Sequence, residues 1–435
     1  MDILQFYMKK FLIIATYTVI LTILSPILLV VLLRKKLGKP SIGQRWGEYF
    51  GVTPPLNGTR PIWIHTVSVG ETIAATPLIR AIKQKYPNQD ILITTTTTTG
   101  AEQAEKIADI AEHRFMPIDF SWCITRFLKQ VNPKCMLIME TELWPNTLRT
   151  VCNAGVPITV INARLSERSC QRYLKFHSVF KLMANHIHQV LCQHTDDEKR
   201  FTQLGLTSDK VHVTGSLKFD ISTPENIALQ GHDLRIKLGQ NRPIWIAAST
   251  HDGEDEIIYN AHQKLLQHCP SALLILVPRH PERFNKVAKQ GTDKGFNVIQ
   301  RTAGAEVKAA TQVYLGDTMG EMLTLISAAD ICFMGGSLIG DKVGGHNMLE
   351  PAALEKPILN GPSYFNFKDI TQQLIKEKAL IICPSDEDIS SQLIHLFDDS
   401  TRRMQMGENA YQVVKRNQGA VNKTIQALGA VISTE

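Results

Sequence analysis

The sequence predicts an α/β chain made of two successive doubly wound domains behind an N-terminal apolar helix. Three observations predict it. The run from Phe11 to Leu33 carries no charged residue. From about Pro61, short β-branched runs alternate with amphipathic segments, the pattern of a parallel sheet covered on both faces. That alternation stops in a polar stretch near residues 220–235 and then restarts.

The apolar run comes first. At roughly 1.5 Å per residue it is long enough to span bilayer hydrocarbon. Lys9 and Lys10 precede it, and Arg34, Lys35, Lys36, Lys39 and Arg45 follow. A cleaved signal peptide has a shorter apolar region and a small-residue cleavage site, whereas this run ends directly in Arg-Lys-Lys. The larger basic cluster on the C-terminal side puts the rest of the chain on the cytoplasmic face. Pro26 either kinks a spanning helix or divides the run into pieces lying in the interface. Residues 1–36 are read as a membrane anchor, with spanning favoured over interfacial attachment.

Strand patterns follow at Ile62–Thr66, Ile91–Thr95, Met136–Met139, Ile158–Ile161, Val190–Cys192 and Val211–Thr214, with helical patterns such as Ile73–Gln84 and Ala101–Ala111 between them. The six threonines Thr94 to Thr99 read as the end of a strand. After the polar stretch come Ile244–Ala248, Leu273–Val277, Val298–Ile299, Val313–Leu315, Ile331–Met334, Ile358–Leu359 and Leu380–Ile382. The expected domains are residues 37–225 and 226–435, with a helical tail from about Arg402 to Ile432 able to fold back and close the architecture.

Composition narrows the class. A chain of 435 residues with 44% apolar content supports two real cores and excludes a largely disordered protein. The formal charge of +6 fits a protein beside anionic lipid and does not call for nucleic acid. Eight scattered cysteines form no C-x-x-C pair, so they read as reduced core thiols rather than zinc ligands. Neither G-x-x-x-x-G-K-[ST] nor H-E-x-x-H occurs, which counts against P-loop and zincin chemistry.

Doubly wound domains bind ligands at the carboxyl ends of their strands, so the polar residues there are the candidates. Ser68-Val-Gly-Glu71 puts an acid at a helix start, as a cap or as a catalyst. Glu140-Thr-Glu-Leu-Trp-Pro145 offers two acids and a tryptophan, suited to a sugar or to a helix N-terminus. Asn162-Ala-Arg164 reads most simply as a solvated turn. Lys218, in Gly215-Ser-Leu-Lys-Phe-Asp220, either neutralises an anion or is plainly exposed. Ala248-Ser-Thr-His-Asp-Gly-Glu254 resembles a loop entering a helix, where phosphate oxygens are favoured. In Pro278-Arg-His-Pro-Glu282, Arg279 supplies a fork for a phosphate or a base edge. Met334-Gly-Gly-Ser337 and Gly344-Gly-His-Asn-Met-Leu-Glu350 bring backbone N–H groups close to an anion and set Glu350 where it can accept from ribose hydroxyls.

Taken with Arg45-Trp-Gly-Glu48, Gly316-Asp-Thr-Met-Gly-Glu321 and Asn417-Gln-Gly-Ala420, these strings resemble, in order and spacing, the 3-deoxy-D-manno-octulosonic acid (Kdo) transferases of lipopolysaccharide synthesis. The resemblance covers nearly the whole chain. It implies a GT-B fold, two Rossmann-like domains facing a cleft, and an inverting transfer of Kdo from CMP-Kdo to the tetra-acylated lipid A precursor. It implies no metal and no cofactor beyond the donor as co-substrate, with inner-membrane lipid as the other partner and the cytoplasmic face of a bacterial inner membrane as the place of work. Carried over, Glu71 is the proton acceptor and Glu140 and Lys218 stabilise the transition state. Arg279, His280, the Met319-Gly320-Glu321 turn and Asn347, Met348, Leu349 and Glu350 hold CMP, with Ser249, Pro278 and Gly336 beside them. Met348 departs from the proline or leucine expected there. The rival readings are another GT-B enzyme, such as a sugar-nucleotide epimerase or a transferase using a UDP donor, and a catalytically silent membrane scaffold.

Overall fold

The computed structural model describes residues 3–33, 43–56, 58, 60–221 and 224–433, with side chains of the first helix described for residues 12–27. Arg34, Lys35, Lys36 and Lys39 lie outside the described residues. The chain divides into two compact units, Met1–Asp220 with Gln418–Glu435, and Ile221–Asn417.

Unit 1 carries seven strands, β1 (Ile62–His65), β2 (Ile91–Thr95), β3 (Glu112–Phe115), β4 (Cys135–Met139), β5 (Ile158–Ala163), β6 (Gln189–Cys192) and β7 (Val211–Val213). They pair in parallel in the order β3-β2-β1-β4-β5-β6-β7. Every residue of β1, β2, β4, β5 and β6 is buried, so these strands read as continuous apolar runs rather than alternating ones. β3 escapes the sequence pattern because it is an edge strand, Glu-His-Arg-Phe, with only Phe115 buried. The Arg45-Trp-Gly-Glu48 string covers that edge. Buried Glu48 accepts from Phe115 N at 2.6 Å, and Arg45 donates to His113 O at 3.0 Å.

Two local expectations shift. The threonine run ends β2 at Thr95, and Thr97 then caps the helix Thr98–Glu105, its hydroxyl accepting from Gly100 N. The last helix, Ala420–Ser433, belongs to unit 1, not to the second domain where the 226–435 boundary put it. Its apolar stripe of Val421, Ile425, Leu428 and Ile432 is buried in the same cluster as Leu78, Ile79 and Ile82 of the helix Val69–Lys85. Its entry is fixed by Asp220, which accepts from Gly419 N at 2.6 Å.

The N-terminal helix runs from Ile3 to Leu33 through Pro26. Proline removes the amide that would bond the Thr22 carbonyl, and Ser25 Oγ donates to that carbonyl at 2.8 Å instead. One side docks on unit 1: Tyr17 donates to buried Asp119 at 2.8 Å, and Asn146 donates to Thr18 Oγ1 at 3.2 Å. The other side exposes Leu12, Val19, Ile20, Ile23, Leu24 and Ile27. Among the described residues, no helix is long and apolar enough to cross a membrane.

Unit 2 repeats the architecture with β8 (Ile244–Thr250), β9 (Leu273–Pro278), β10 (Val298–Gln300), β11 (Val313–Leu315), β12 (Ile331–Met334), β13 (Ile358–Asn360) and β14 (Leu380–Ile382). The parallel order is β10-β11-β9-β8-β12-β13-β14. In each unit the first strand sits where the order reverses, β1 between β2 and β4, β8 between β9 and β12, and ligands of such sheets bind beyond that point. All eight cysteines are free.

Candidate active site

In unit 1, β1 ends in a turn that Ser68 closes. Its hydroxyl accepts from Glu71 N at 3.3 Å, while the Glu71 carboxylate accepts from Val67 N at 2.8 Å and Ser68 Oγ at 3.0 Å. Glu71 is thus a cap by geometry. Its acidity is nonetheless altered. Burial pushes its carboxyl up to about 6 against those hydrogen bonds, and the charges of Glu140 and Glu142 add to the rise. A carboxylate with that range is mostly ionised at neutral pH yet basic enough to take a proton. The role of cap and the role of base are therefore compatible.

Glu140 follows β4 with a left-handed φ of +56°, unusual for a residue with a side chain. Its carboxylate meets Lys218 Nζ at 3.2 Å, each side chain 28% exposed. Burial, then the Glu140 charge, raises the carboxyl of Glu142. Asn162 is not a solvated turn residue. It is buried, left-handed at φ +51°, and its Oδ1 accepts from Leu217 N at 3.0 Å, fixing the turn that carries Lys218. Sequence reading gave that role to no residue, because the two segments lie 55 positions apart.

In unit 2, β8 kinks at Ser249, φ +59°, with a register shift against β9. The kink brings β8 so close to Gly335 that a Cβ there would sit 2.7 Å from the Ser249 carbonyl oxygen. Pro278 ends β9, and Arg279 N bonds to Thr250 O at 2.9 Å. Among the described residues the Arg279 guanidinium makes no hydrogen bond or ion pair. Its charge faces Glu350, whose carboxyl burial raises and whose partners Asn347 and Arg279 lower. His251, His280 and His346 gather here. His251 Nε2 lies 2.8 Å from His346 Nε2, and the His251 and His280 ring centres are 5.3 Å apart.

The glycine loop after β12 departs from expectation. The N–H groups of Gly336, Ser337 and Leu338 point at Glu254, at 2.6, 2.9 and 2.9 Å, and His251 N joins them at 2.9 Å. A fully buried carboxylate of the chain itself therefore takes the position in the nest that a ligand anion was expected to take. Glu254 went unrecognised because its string reads as a loop entering a helix, a place for phosphate oxygens rather than for an internal carboxylate. The turn at Met319, Gly320 and Glu321 follows β11, the neighbour of β9. Glu321 forms a two-pronged ion pair with Arg301 at 2.6 Å and 2.6 Å, which holds its carboxyl down to about 2. It borders a cavity of about 1470 Å³ also lined by Gln230, Arg242 and Tyr314, but not by Arg279 or the three histidines. Met348 and Leu349 are buried, with the Met348 sulfur beside the Thr371 hydroxyl, so they face the core.

Residues 44–221 match the family model of 3-deoxy-D-manno-octulosonic-acid transferase. The curated 3-deoxy-D-manno-octulosonic acid transferase of Haemophilus influenzae is 39% identical over 419 residues, 95% of this chain and 97% of that one. The chain belongs to the Kdo transferase family. The corresponding enzyme of Bordetella pertussis is 34% identical over 388 residues, 87% of this chain and 89% of that one. A UDP-N-acetylglucosamine 2-epimerase crystal structure shares the fold alone, with a TM-score of 0.53 at 11% identity over 86% of this chain and 97% of that one. Kdo transferases are glycosyltransferases of lipopolysaccharide biosynthesis, and in this one the strings that begin at Ser68, Glu140, Asn162, Gly215, Ala248, Pro278, Gly316 and Met334 fall at or just beyond the carboxyl ends of strands.

Proposed function

We propose that this Kdo transferase moves Kdo from CMP-Kdo to the tetra-acylated lipid A precursor with inversion, without a metal, and with Glu71 as base. The observation that carries the reading is the Glu71 carboxylate, held by Val67 N and Ser68 Oγ yet raised to about 6 by burial. As the acceptor oxygen bonds to the anomeric carbon, its proton passes to Glu71. The bond from that carbon to the CMP phosphate breaks on the opposite face, and its electron pair leaves with the phosphate. Negative charge at Glu140 favours the oxocarbenium character of the sugar, and Lys218 holds that carboxylate in place. The free guanidinium of Arg279 suits the phosphate, and Glu350 suits ribose hydroxyls. The exposed apolar stripe of the N-terminal helix supports attachment to the inner membrane, with the two units on its cytoplasmic face. The test is to incubate the purified full-length protein with lipid A precursor and a CMP-Kdo generating system, with EDTA present and absent, and to weigh the products. A mass gain of Kdo on the lipid, unaffected by EDTA and absent for Glu71→Gln, is expected. Transfer from a UDP-sugar instead would overturn the donor assignment.

A further inference from the structure

Three histidines meet at the reversal point of the unit 2 sheet, from three different segments. His251 follows β8, His280 follows β9, and His346 comes from the glycine-rich loop beyond β12. His251 and His346 stack with ring centres 5.1 Å apart and planes 13° apart, and their Nε2 atoms share one hydrogen bond. His280 stands edge-on to His251 at 84°. The arrangement is built into the backbone. Gly336 has φ +71°, and a Cβ there would come within 2.9 Å of the His346 ring.

A hydrogen bond between two imidazole nitrogens needs one N–H and one lone pair, so at least one ring of the resting pair is neutral. The surroundings favour the neutral form of both. Burial first, then His280, Arg283 and Arg279, lower His251 to about 4. Burial first, then His251, Arg279 and His280, lower His346 to about 4. The nearby acids are spent elsewhere. Glu254 is bonded to four backbone N–H groups, Asp255 to Arg283, Asp252 to Lys286, and Glu350 faces Arg279. Among the described residues none of the three rings has a carboxylate partner, and no group is placed to share a metal ion. The cluster therefore has cations around it and lacks an anion.

We propose that His251 and His346, with His280 against them, form a proton-linked phosphate site that takes up a proton when a nucleoside monophosphate binds. This rests on the reading that unit 2 holds the donor. An anion set against the rings supplies the missing countercharge and favours their protonated form. The effect follows the reaction. The phosphate is a singly charged diester in the sugar nucleotide and approaches two charges as the bond to the sugar breaks. The pair forms and breaks no bond itself. The proton comes from water and stays on the imidazoles, balancing charge on the departing phosphate.

The experiment is calorimetric titration of the full-length protein with CMP at pH 7.0 (about the midpoint of the useful range) in two amine buffers of different ionisation enthalpy. The difference in heat reports protons taken up per CMP. Wild type is expected to take up a substantial fraction of one proton. His251→Gln and His346→Gln should lose most of that uptake while keeping wild-type melting temperature, and cytidine, which lacks the phosphate, should bind with none. Between pH 8 and 6 the wild-type Kd should fall by up to about tenfold per unit, more steeply than in either variant. Equal uptake in wild type and both variants, or none in wild type, overturns the proposal whether or not the variants fold. CMP that binds with the same affinity to Arg279→Ala and Glu350→Ala overturns the donor reading beneath it, and no CMP binding at all overturns both.

Discussion

The two units use nearly the same sheet for opposite electrostatics. Unit 1 gathers carboxylates at its strand ends, Glu71, Glu140 and Glu142, with Lys218 on Glu140. Unit 2 gathers three histidines at its strand ends, with the Arg279 charge near them and facing Glu350. In unit 1 burial, with a smaller part from like charges, makes a carboxylate more basic. In unit 2 burial and neighbouring cations keep imidazoles neutral. In the function proposed above, one group takes a proton from a hydroxyl and the other meets an anion. The backbone prepares both in the same way, with left-handed residues where strands end: Glu140 and Asn162 in one unit, Ser249 in the other. The scaffold fixes where chemistry sits, and a few loop residues fix its sign.

The contrast is broken most severely at Glu71. Glu71→Gln should lower turnover by about 10²–10⁴-fold, measured as Kdo transferred per minute, with CMP affinity unchanged. Near-normal transfer would remove Glu71 from the chemistry and leave it a cap. Glu254→Ala should cost unit 2 at least about 3 kcal/mol, since four backbone N–H groups, those of Gly336 and Ser337 buried, lose their acceptor. Thermal unfolding and CMP binding should suffer together, and an unchanged melting curve would refute the role given to that carboxylate.

Smaller changes sharpen the comparison. Arg279→Ala and Glu350→Ala should each weaken CMP binding by about 1–3 kcal/mol, read by calorimetry, and should leave the unit 1 acids untouched. The pH profile of kcat/KM should lose activity as pH falls through about 6, where Glu71 takes up its proton. Because its folded carboxyl is raised above the usual value of 4.5, the folded state binds the proton more tightly. Its contribution to stability is therefore present at low pH and lost as pH rises from 4.5 through about 6. Glu71→Gln should flatten that slope, and an unaltered slope would assign it to another group. The smallest effect is expected at Tyr17→Phe, about 1 kcal/mol, from loss of the bond to Asp119 that docks the N-terminal helix.

The strands of both sheets were legible because burial on both faces writes them as continuous apolar runs. β3 was not, since an edge strand needs only Phe115 inside. The final helix was legible as a helix but not in its allegiance, because an apolar stripe does not say which core it joins. The candidate residues were legible as strings at strand ends. What the strings hid were partners distant in the chain: Asn162 for the Lys218 turn, and Glu254 for a loop 82 residues later. A hydrogen bond between separated segments leaves no period in a sequence.

Glu254 also bears on timing. A glycine loop that waits for its ligand must be ordered at each turnover, and that ordering slows capture and raises its entropic cost. Here an internal carboxylate has already drawn the amides of Gly336, Ser337 and Leu338 inward. In hydrogen exchange those three amides should be slow with CMP absent and no slower with CMP present. In the donor binding proposed above, the nucleotide meets a finished wall, and its arrival is limited by encounter rather than by folding of the loop.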